Sequence, residues 1–286
     1  MPDAVNPKQH HGGKRPRRLL YKTWQVFCAG VSYAFFGIVA LLIGAVFRLM
    51  SPISAISPAK KQRLIRWCIH KGCLTFIRTL RFFGLIRYHF DIASLRAVHP
   101  GHIVTANHPS LIDVVLLLAV NEQICCIVKN AIWNNFFIGP VVRQAGFIPN
   151  NAEHFLPLAE ARLKAGENIL IFPEGTRTKA DNIVRFKRGA ANIAVAIGAP
   201  IMPVIIQCVP RGLKKGDKWY DIPAGGLNFT LRSSARLVVE DCIDIMLPRP
   251  QQYRHLTVFL ENYYKKQLED YTLSLSEAFE QPQRTT

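Results

Sequence analysis

The chain has 286 residues, 49% of them hydrophobic, and 36 lysines and arginines against 19 acidic residues give a formal net charge of +17. This length suffices for one large domain with an appendage, and the charge points to an anionic partner such as a membrane surface, a nucleic acid or an acidic carrier protein. Zinc-finger spacing, a Rossmann glycine fingerprint and a P-loop are all missing, so we expect a membrane surface and no nucleic acid, although a basic helix on another nucleic-acid fold stays open.

The seven cysteines are odd in number, fall mostly in apolar runs and show no metal-ligand spacing. They are typical of small buried hydrophobic residues in a reducing compartment. We therefore expect neither a metal nor a cofactor.

The amino-terminal segment favours attachment to a membrane. Residues 1–18 are polar with a basic end, which predicts a disordered tail suited to anionic headgroups. Residues 24–47 are apolar and uncharged, long enough to span a bilayer and too long for a signal-peptide core. Basic residues flank both ends, so the positive-inside rule gives no orientation.

A second helix is predicted over residues 60–87, where arginines and lysines alternate with aliphatic and aromatic residues. This basic amphipathic pattern is typical of a helix lying in the membrane interface. We interpret residues 19–87 as a membrane-associated helical hairpin, either dipping into one leaflet or crossing the bilayer once. The alternative is one buried core helix and one surface helix.

From residue 88 the pattern changes to short apolar runs alternating with helical stretches. Strands are predicted over 102–106, 124–129, 146–149, 168–172 and 200–208, with weaker strand patterns at 227–232 and 236–241. Helices are predicted over 110–119, parts of 130–145, 153–164, 187–197 and 251–270. This alternation predicts an α/β fold, a mixed sheet flanked by helices, as a domain over residues 88–275. Residues 276–286 are predicted to be a disordered tail.

The first motif with chemical content occupies residues 107–113, between a predicted strand and a predicted helix. Pro109 suits the first position of a helix, which would place His108 at the helix entrance, where the dipole disfavours an imidazolium. A neutral ring is what a general base requires, and Asp113 could fix its tautomer if His108 lies outside the helix. On its own, this stretch is more typical of a polar helix start, with His108 as a cap and Asp113 as a surface charge.

The second motif, Phe-Pro-Glu-Gly-Thr-Arg at residues 172–177, also follows a predicted strand. Proline and glycine release the chain into a turn, and Arg177 has a guanidinium suited to a phosphate. Ligands of open α/β sheets gather beyond the carboxyl ends of strands, so both motifs are candidates for one site. Alone, the second motif could be a turn with a salt bridge.

Together, the two motifs resemble those of the lysophosphatidic acid acyltransferase family of glycerolipid acyltransferases. The first is Asn-His-x-x-x-x-Asp, and the second is Phe-Pro-Glu-Gly-Thr-Arg about sixty residues later. Between the two motifs, Lys129 precedes an apolar stretch that leads to Gly-Phe-Ile at 146–148. After the second motif, an apolar strand with prolines lies at 199–204. The resemblance covers roughly residues 100–210. Many members carry a charged residue after Gly-Phe-Ile, where this chain has Pro-Asn-Asn, a difference that bears on the acceptor.

The resemblance implies an O-acyltransferase that moves a fatty acyl group from acyl-CoA or acyl-carrier protein to a lysophosphatidic acid-like acceptor. His108 would be the general base and Asp113 would orient it, with the site on the cytoplasmic side of a membrane (the inner membrane in a bacterium). Alternatives are another lysolipid acceptor, such as lyso-ornithine lipid, or a lipid hydrolase on the same scaffold. The residues expected to bind the acceptor phosphate are Lys129, Glu174, Gly175, Thr176 and Arg177.

Overall fold

A seven-stranded mixed sheet forms the centre of the protein. The computed structural model describes residues 15–49, 57–91, 95, 100–151, 153, 155–179, 181 and 183–280. The strands are β1 (Ile86–Phe90), β2 (Ile103–Ala106), β3 (Ile124–Val128), β4 (Ile148–Pro149), β5 (Asn168–Ile171), β6 (Ile201–Val209) and β7 (Leu227–Ser233). The helices are α1 (Arg15–Leu49), α2 (Pro58–Phe82), α3 (Asp113–Val120), α4 (Asn130–Trp133), α5 (Gly139–Gln144), α6 (Phe155–Lys164), α7 (Gly189–Ile197), α8 (Val239–Cys242) and α9 (Arg249–Glu280). The predicted α/β class with a mixed sheet is confirmed.

The strand order is β1-β7-β6-β2-β5-β3-β4. The five strands from β6 to β4 run parallel, whereas β7 is antiparallel to β6 and carries β1 parallel to itself. All four residues of β2 and all four of β5 are buried, as expected for central strands covered on both faces. The carboxyl ends of β2, β3, β5 and β6 therefore meet at one edge of the sheet, here called the carboxyl edge.

Helices cover both faces of the sheet. Val104 faces Leu117 of α3 across a small internal void of about 10 Å³. The next residue, Thr105, points to the opposite face, where its hydroxyl is 2.9 Å from the hydroxyl of the fully buried Tyr264 on α9. The core thus fixes β2, the strand that leads into the first motif, from both sides.

The two amino-terminal helices pack against each other and against the domain. Phe76 of α2 contacts Tyr33 and Phe36 of α1 at ring-centroid distances of 5.1 and 4.6 Å. Arg66 of α2 is buried, 2.9 Å from the carboxylate of Glu167, and also donates to the Ala145 carbonyl. The buried face of α2, with Ile65, Phe76 and Leu80, therefore packs inside the protein, while Leu64, Trp67 and Phe82 of the same helix are exposed. The position expected for this helix in the membrane interface stays a prediction.

Several predicted boundaries are wrong. The second helix was predicted to reach residue 87, but α2 ends at Phe82 because Gly84 adopts a left-handed φ of +70° and Ile86 then pairs with Leu227 in β1. The strand predicted at 236–241 is only a bridge between Leu237 and Ile201, followed by α8.

The predicted tails also differ from the structure. The helix α1 begins at Arg15, inside the predicted 1–18 tail, and α9 continues to Glu280, inside the predicted 276–286 tail. Residues 1–14 and 281–286 lie outside the described part of the chain.

Candidate active site

The sheet topology brings the two motifs together. Strands β2 and β5 are parallel neighbours with Thr105 opposite Ile171, so Asn107 and Phe172 leave the same carboxyl edge side by side. The imidazole of His108 stacks on the ring of Phe172, with centroids 4.3 Å apart and planes inclined by 29°. The predicted juxtaposition of the motifs is therefore present in the structure.

Within the first motif, Nδ1 of His108 lies 2.7 Å from Oδ2 of Asp113, whose side chain is fully buried. A carboxylate at this distance accepts the Nδ1 proton and leaves the lone pair on Nε2, the state needed for proton abstraction. The side chain of His108 is 17% exposed, so the ring is reachable from solvent. The geometry is that of a histidine base oriented by an acid.

The helix start differs from the prediction. Pro109 and Ser110 precede the helix, which begins at Asp113, so Pro109 does not occupy the first helical position. His108 does lie outside the helix, as the five-residue spacing required. The helix dipole therefore acts first on Asp113, whose negative charge it favours at the amino terminus of α3.

Ser110 and Asn107 hold this loop in place. The Ser110 backbone N–H donates to Oδ2 of Asp113 at 2.7 Å and its hydroxyl donates to Oδ1 at 2.5 Å. The amide of Asn107 donates to the Ile206 carbonyl at 2.7 Å and accepts from the Ile206 N–H at 2.8 Å, which ties the loop to β6. Ser110 is buried and both its N–H and its hydroxyl bond to Asp113, so its role is structural.

Glu174 supports the first motif from the second. Its Oε1 accepts from the His108 backbone N–H at 2.8 Å and from the Thr178 hydroxyl at 2.9 Å, and the Thr178 N–H donates to the His108 carbonyl at 2.7 Å. Burial raises the pKa of Glu174, while these two hydrogen bonds oppose the rise. Glu174 was predicted among the phosphate-binding residues, but the structure turns this buried carboxylate toward residues 107–113, here called the histidine loop.

The other predicted phosphate residues lie on the solvent side of the same edge. Gly175 is exposed with a left-handed φ of +66°, and Thr176 and Arg177 are half-buried. Nη1 of Arg177 donates to the carbonyls of Leu213 and Lys214 at 3.0 and 2.7 Å, so this guanidinium also fixes the loop after β6.

Lys129 is exposed directly after β3, two strands from β2 in the sheet order. With about 4.8 Å between neighbouring strands, its backbone lies about 10 Å from the histidine loop. Asn150, from the position where the family often carries a charge, accepts through Oδ1 from the N–H of Asn130 at 3.1 Å. That side chain therefore supports the segment that follows Lys129.

Two cations near the second motif were missed by the sequence reasoning. The Nζ of Lys187 is 3.3 Å from where a Cβ on Gly175 would stand. Partial burial lowers the pKa of Arg211, and the negative charge of nearby Glu174 partly offsets this. Lys187 and Arg211 lie on loops that the sheet pairing brings to this edge, so the spacing within a sequence motif could not have identified them.

Metal ligation has no candidate among the residues that the structure describes: no three His, Cys, Asp or Glu side chains converge. The seven cysteines are free, five of them buried, and burial raises the pKa of Cys125 to about 11 and that of Cys73 to about 12. The expectation that no cofactor is needed remains a prediction.

Comparison with known proteins finds similarity over the part of the chain that contains this site. Residues 89–207 match the family model described as Acyltransferase. The chain is 33% identical over 125 residues to the 1-acyl-sn-glycerol-3-phosphate acyltransferase of Bacillus subtilis (strain 168), covering 41% of this chain and 62% of that protein. It is 24% identical over 201 residues to a chloroplastic 1-acyl-sn-glycerol-3-phosphate acyltransferase of Arabidopsis thaliana, covering 67% of this chain and 53% of that protein.

The matched segment of another relative, the Homo sapiens 1-acyl-sn-glycerol-3-phosphate acyltransferase beta, covers 50% of that protein at 29% identity, so the chain spans about half the length of such relatives. The crystal structure of the 1-acyl-sn-glycerophosphate (LPA) acyltransferase PlsC from Thermotoga maritima superposes with a TM-score of 0.64 at 22% identity, covering 90% of this chain and 97% of that one. At this identity the likeness shows the shared fold. Residues 89–207 therefore match an acyltransferase domain, and this part of the chain is similar to 1-acyl-sn-glycerol-3-phosphate acyltransferases.

Proposed function

We propose that the protein transfers a fatty acyl group from an acyl thioester to the free hydroxyl of a lysophosphatidic acid-like acceptor, giving phosphatidic acid. The observation that carries the proposal is the 2.7 Å hydrogen bond between Nδ1 of His108 and Asp113, which leaves Nε2 as the proton acceptor. The relatives' names, 1-acyl-sn-glycerol-3-phosphate acyltransferase, support the acceptor class.

In the proposed reaction, Nε2 of His108 removes the acceptor hydroxyl proton as the oxygen attacks the thioester carbonyl carbon. Negative charge moves onto the carbonyl oxygen, where backbone amides are the expected donors. The carbon–sulfur bond then breaks, and the leaving thiolate takes the proton back from the imidazolium. Asp113 stabilises the imidazolium while it exists, which is why its burial and its two bonds from Ser110 matter.

The acceptor phosphate is assigned to the cations around Gly175. Arg177 and Lys187 flank this exposed turn, and Arg211 lies near Glu174 behind it. A phosphate carries up to two charges on oxygens that accept from several donors, so a cluster of guanidinium and ammonium groups suits it. Lys129, farther along the carboxyl edge, suits a second anionic group of the substrates. The acyl donor in this proposal is acyl-CoA or acyl-carrier protein.

Membrane attachment is assigned to α1. Within Leu20–Leu49, the most apolar stretch of 18 residues has a mean hydropathy of 2.4 and only 17% of it is buried inside the protein, so the helix is long and apolar enough for a membrane. One face of α1, including Gln25, Cys28, Ser32 and Phe47, is buried against the protein. We place the active site on the cytoplasmic side, where thioester donors are made, at the inner membrane if the source is bacterial.

The deciding experiment is an acceptor panel with the purified full-length protein in vesicles. Lysophosphatidic acid, glycerol 3-phosphate, lyso-ornithine lipid and water are each offered with one acyl-CoA and one acyl-carrier protein, and products are identified by mass. We expect phosphatidic acid from lysophosphatidic acid, with kcat about 10³-fold lower in His108→Ala. His89→Ala, an exposed histidine on β1, is the matched control and should keep wild-type activity.

Each other outcome has a defined meaning. Free fatty acid formed with water as the sole acceptor, at a rate equal to transfer, would make the protein a hydrolase. Product from lyso-ornithine lipid alone would reassign the acceptor. Wild-type transfer by His108→Ala would remove His108 from the chemistry.

A further inference from the structure

Large apolar side chains are exposed unevenly over the domain. Outside α1 and α2, eight of the thirteen described residues that expose them lie in segments at the carboxyl ends of the parallel strands, namely Leu111, Ile132, Phe136, Phe137, Ile138, Ile183, Val209 and Trp219. Single exposed residues on the covering helices are Leu156 and Leu158 of α6 and Val258 of α9. The opposite edge exposes Ile245 and Met246, near the bridge that Leu237 makes with the start of β6. Concentrated apolar exposure marks an interaction surface.

The segment with the most concentrated exposure is residues 132–138, from the end of α4 to the start of α5, here called the aromatic loop. Phe136 is 84% exposed and Phe137 58% exposed, with Ile132 and Ile138 beside them. The two phenyl rings contact each other edge to face, with centroids 5.3 Å apart. Two neighbouring phenylalanines held in water leave a substantial apolar area unburied, which only a further apolar environment would cover.

The backbone of the aromatic loop is largely paired within itself. The side chain of Asn135 accepts from the N–H groups of Phe137 and Ile138 at 2.9 and 3.1 Å. The Asn135 carbonyl accepts from Gly139 N–H at 2.9 Å, and the Trp133 carbonyl accepts from Arg143. Unpaired backbone groups are costly in hydrocarbon, so a loop that satisfies these groups internally is suited to leave water.

The aromatic loop also adjoins α1. A Cβ on Gly44 of α1 would lie 3.0 Å from Val141 of α5, the helix that the loop enters. In this part of α1, Leu41, Leu42 and Val46 are exposed. The loop therefore continues an apolar surface that already has the length and composition for a membrane. Exposed Lys129, just before α4, adds a positive charge suited to anionic headgroups.

We propose that the aromatic loop is a membrane-inserting element additional to the amino-terminal helices, with Phe136 and Phe137 entering an anionic phospholipid bilayer. Together with α1, it seats the carboxyl edge of the sheet, and hence His108, against the lipid surface. A lipid occupant is favoured over a protein one by the contact of α5 with α1 and by the net charge of +17. This inference concerns attachment and holds whichever acceptor the site uses.

The first test places a fluorescent label at the tip of the loop. Phe136→Cys is labelled with the polarity-sensitive dye NBD in the full-length chain, after the partly exposed Cys68 and Cys242 are changed to serine. Met246→Cys, at the opposite edge and equally exposed, is the matched control. With phosphatidylcholine and phosphatidylglycerol vesicles, we expect a blue shift and quenching by brominated acyl chains at 136, and neither at 246.

The second test measures attachment without a label. F136S/F137S should lower the fraction bound to the same vesicles at limiting lipid by at least about tenfold, because two apolar side chains no longer enter the bilayer. I245S/M246S removes the same number of exposed apolar side chains and should bind like the wild type. Unchanged thermal melting of both variants confirms that they fold.

Two outcomes would overturn the proposal. A label at 136 that keeps its aqueous spectrum while the protein sediments with vesicles would show that the loop stays in water. An emission change that follows protein concentration in the absence of lipid would assign the loop to an interface between copies of the chain.

Discussion

Two parts of the site use polar residues in opposite ways. In the histidine loop, residues 107–113, the side chains of Ser110 and Asp113 are fully buried and bonded to each other. In the cationic rim, formed by Arg177, Lys187 and Arg211, the charged groups border solvent. Proton transfer needs a fixed geometry, whereas the oxygens of a phosphate can bind cations that approach from several directions. We therefore expect changes in the loop to act on kcat and changes in the rim to act on KM.

The largest expected effect is that of Asp113→Asn, which keeps the size of the side chain and removes its charge. The amide can no longer both accept the Nδ1 proton and stabilise an imidazolium, so kcat should fall about 10³-fold in single-turnover measurements. Asp181→Asn alters an exposed carboxylate paired with Arg185 and is the control. A kcat close to wild type in Asp113→Asn would contradict the proposed role of Asp113. It would also contradict the expectation that changes in the histidine loop act on kcat.

A smaller effect is expected in the rim. Lys187→Ala removes the ammonium beside Gly175 and should raise KM for lysophosphatidic acid about tenfold, the loss of one charge-assisted contact, with kcat nearly unchanged. Arg185→Ala removes an equally exposed charge two residues away and should leave both constants unchanged. Steady-state kinetics on vesicles of fixed composition separate the two constants. A fall in kcat with constant KM in Lys187→Ala would contradict the expectation that changes in the cationic rim act on KM.

The smallest effect concerns stability and its pH dependence. Burial raises the pKa of Glu174, so the folded state binds the proton of this carboxyl more tightly than the unfolded state does. The free energy of unfolding therefore falls as the pH rises from the unfolded to the folded pKa of this group. Glu174→Gln should therefore melt a few degrees higher than wild type at neutral pH, and the gain should vanish as pH falls below the usual glutamate range. A gain that stays constant with pH would indicate a packing effect instead.

Much of this arrangement could be predicted because local patterns determine it. The apolar runs of β2 and β5 predicted the strands, and the motif spacing required His108 to lie outside the helix of Asp113, as the structure has it. The α/β class followed from the alternation of elements. These features depend on residues close together in the chain.

What could not be predicted depends on contacts between distant segments. From its motif alone, Glu174 was predicted to bind a ligand on the solvent side. The pairing of β2 with β5 instead places its carboxylate where it accepts a hydrogen bond from the backbone N–H of His108. Lys187 reaches Gly175 through a loop of irregular structure. The strand β1 was missed: its first two residues fell inside the helix predicted over 60–87, and its pairing with β7 outweighs the local propensity there.

The side chain of Asn107 has a consequence for any attempt to transplant this chemistry. Its amide makes both a donor and an acceptor bond to the backbone of Ile206, so a side chain takes the place that another strand residue would have in the ladder. The sheet stays paired while the main chain is free to turn toward His108. The seven residues of the motif would therefore not be expected to keep their geometry when transferred alone to another protein. That protein would also need a parallel neighbouring strand in the register of β6 and a carboxylate in the position of Glu174.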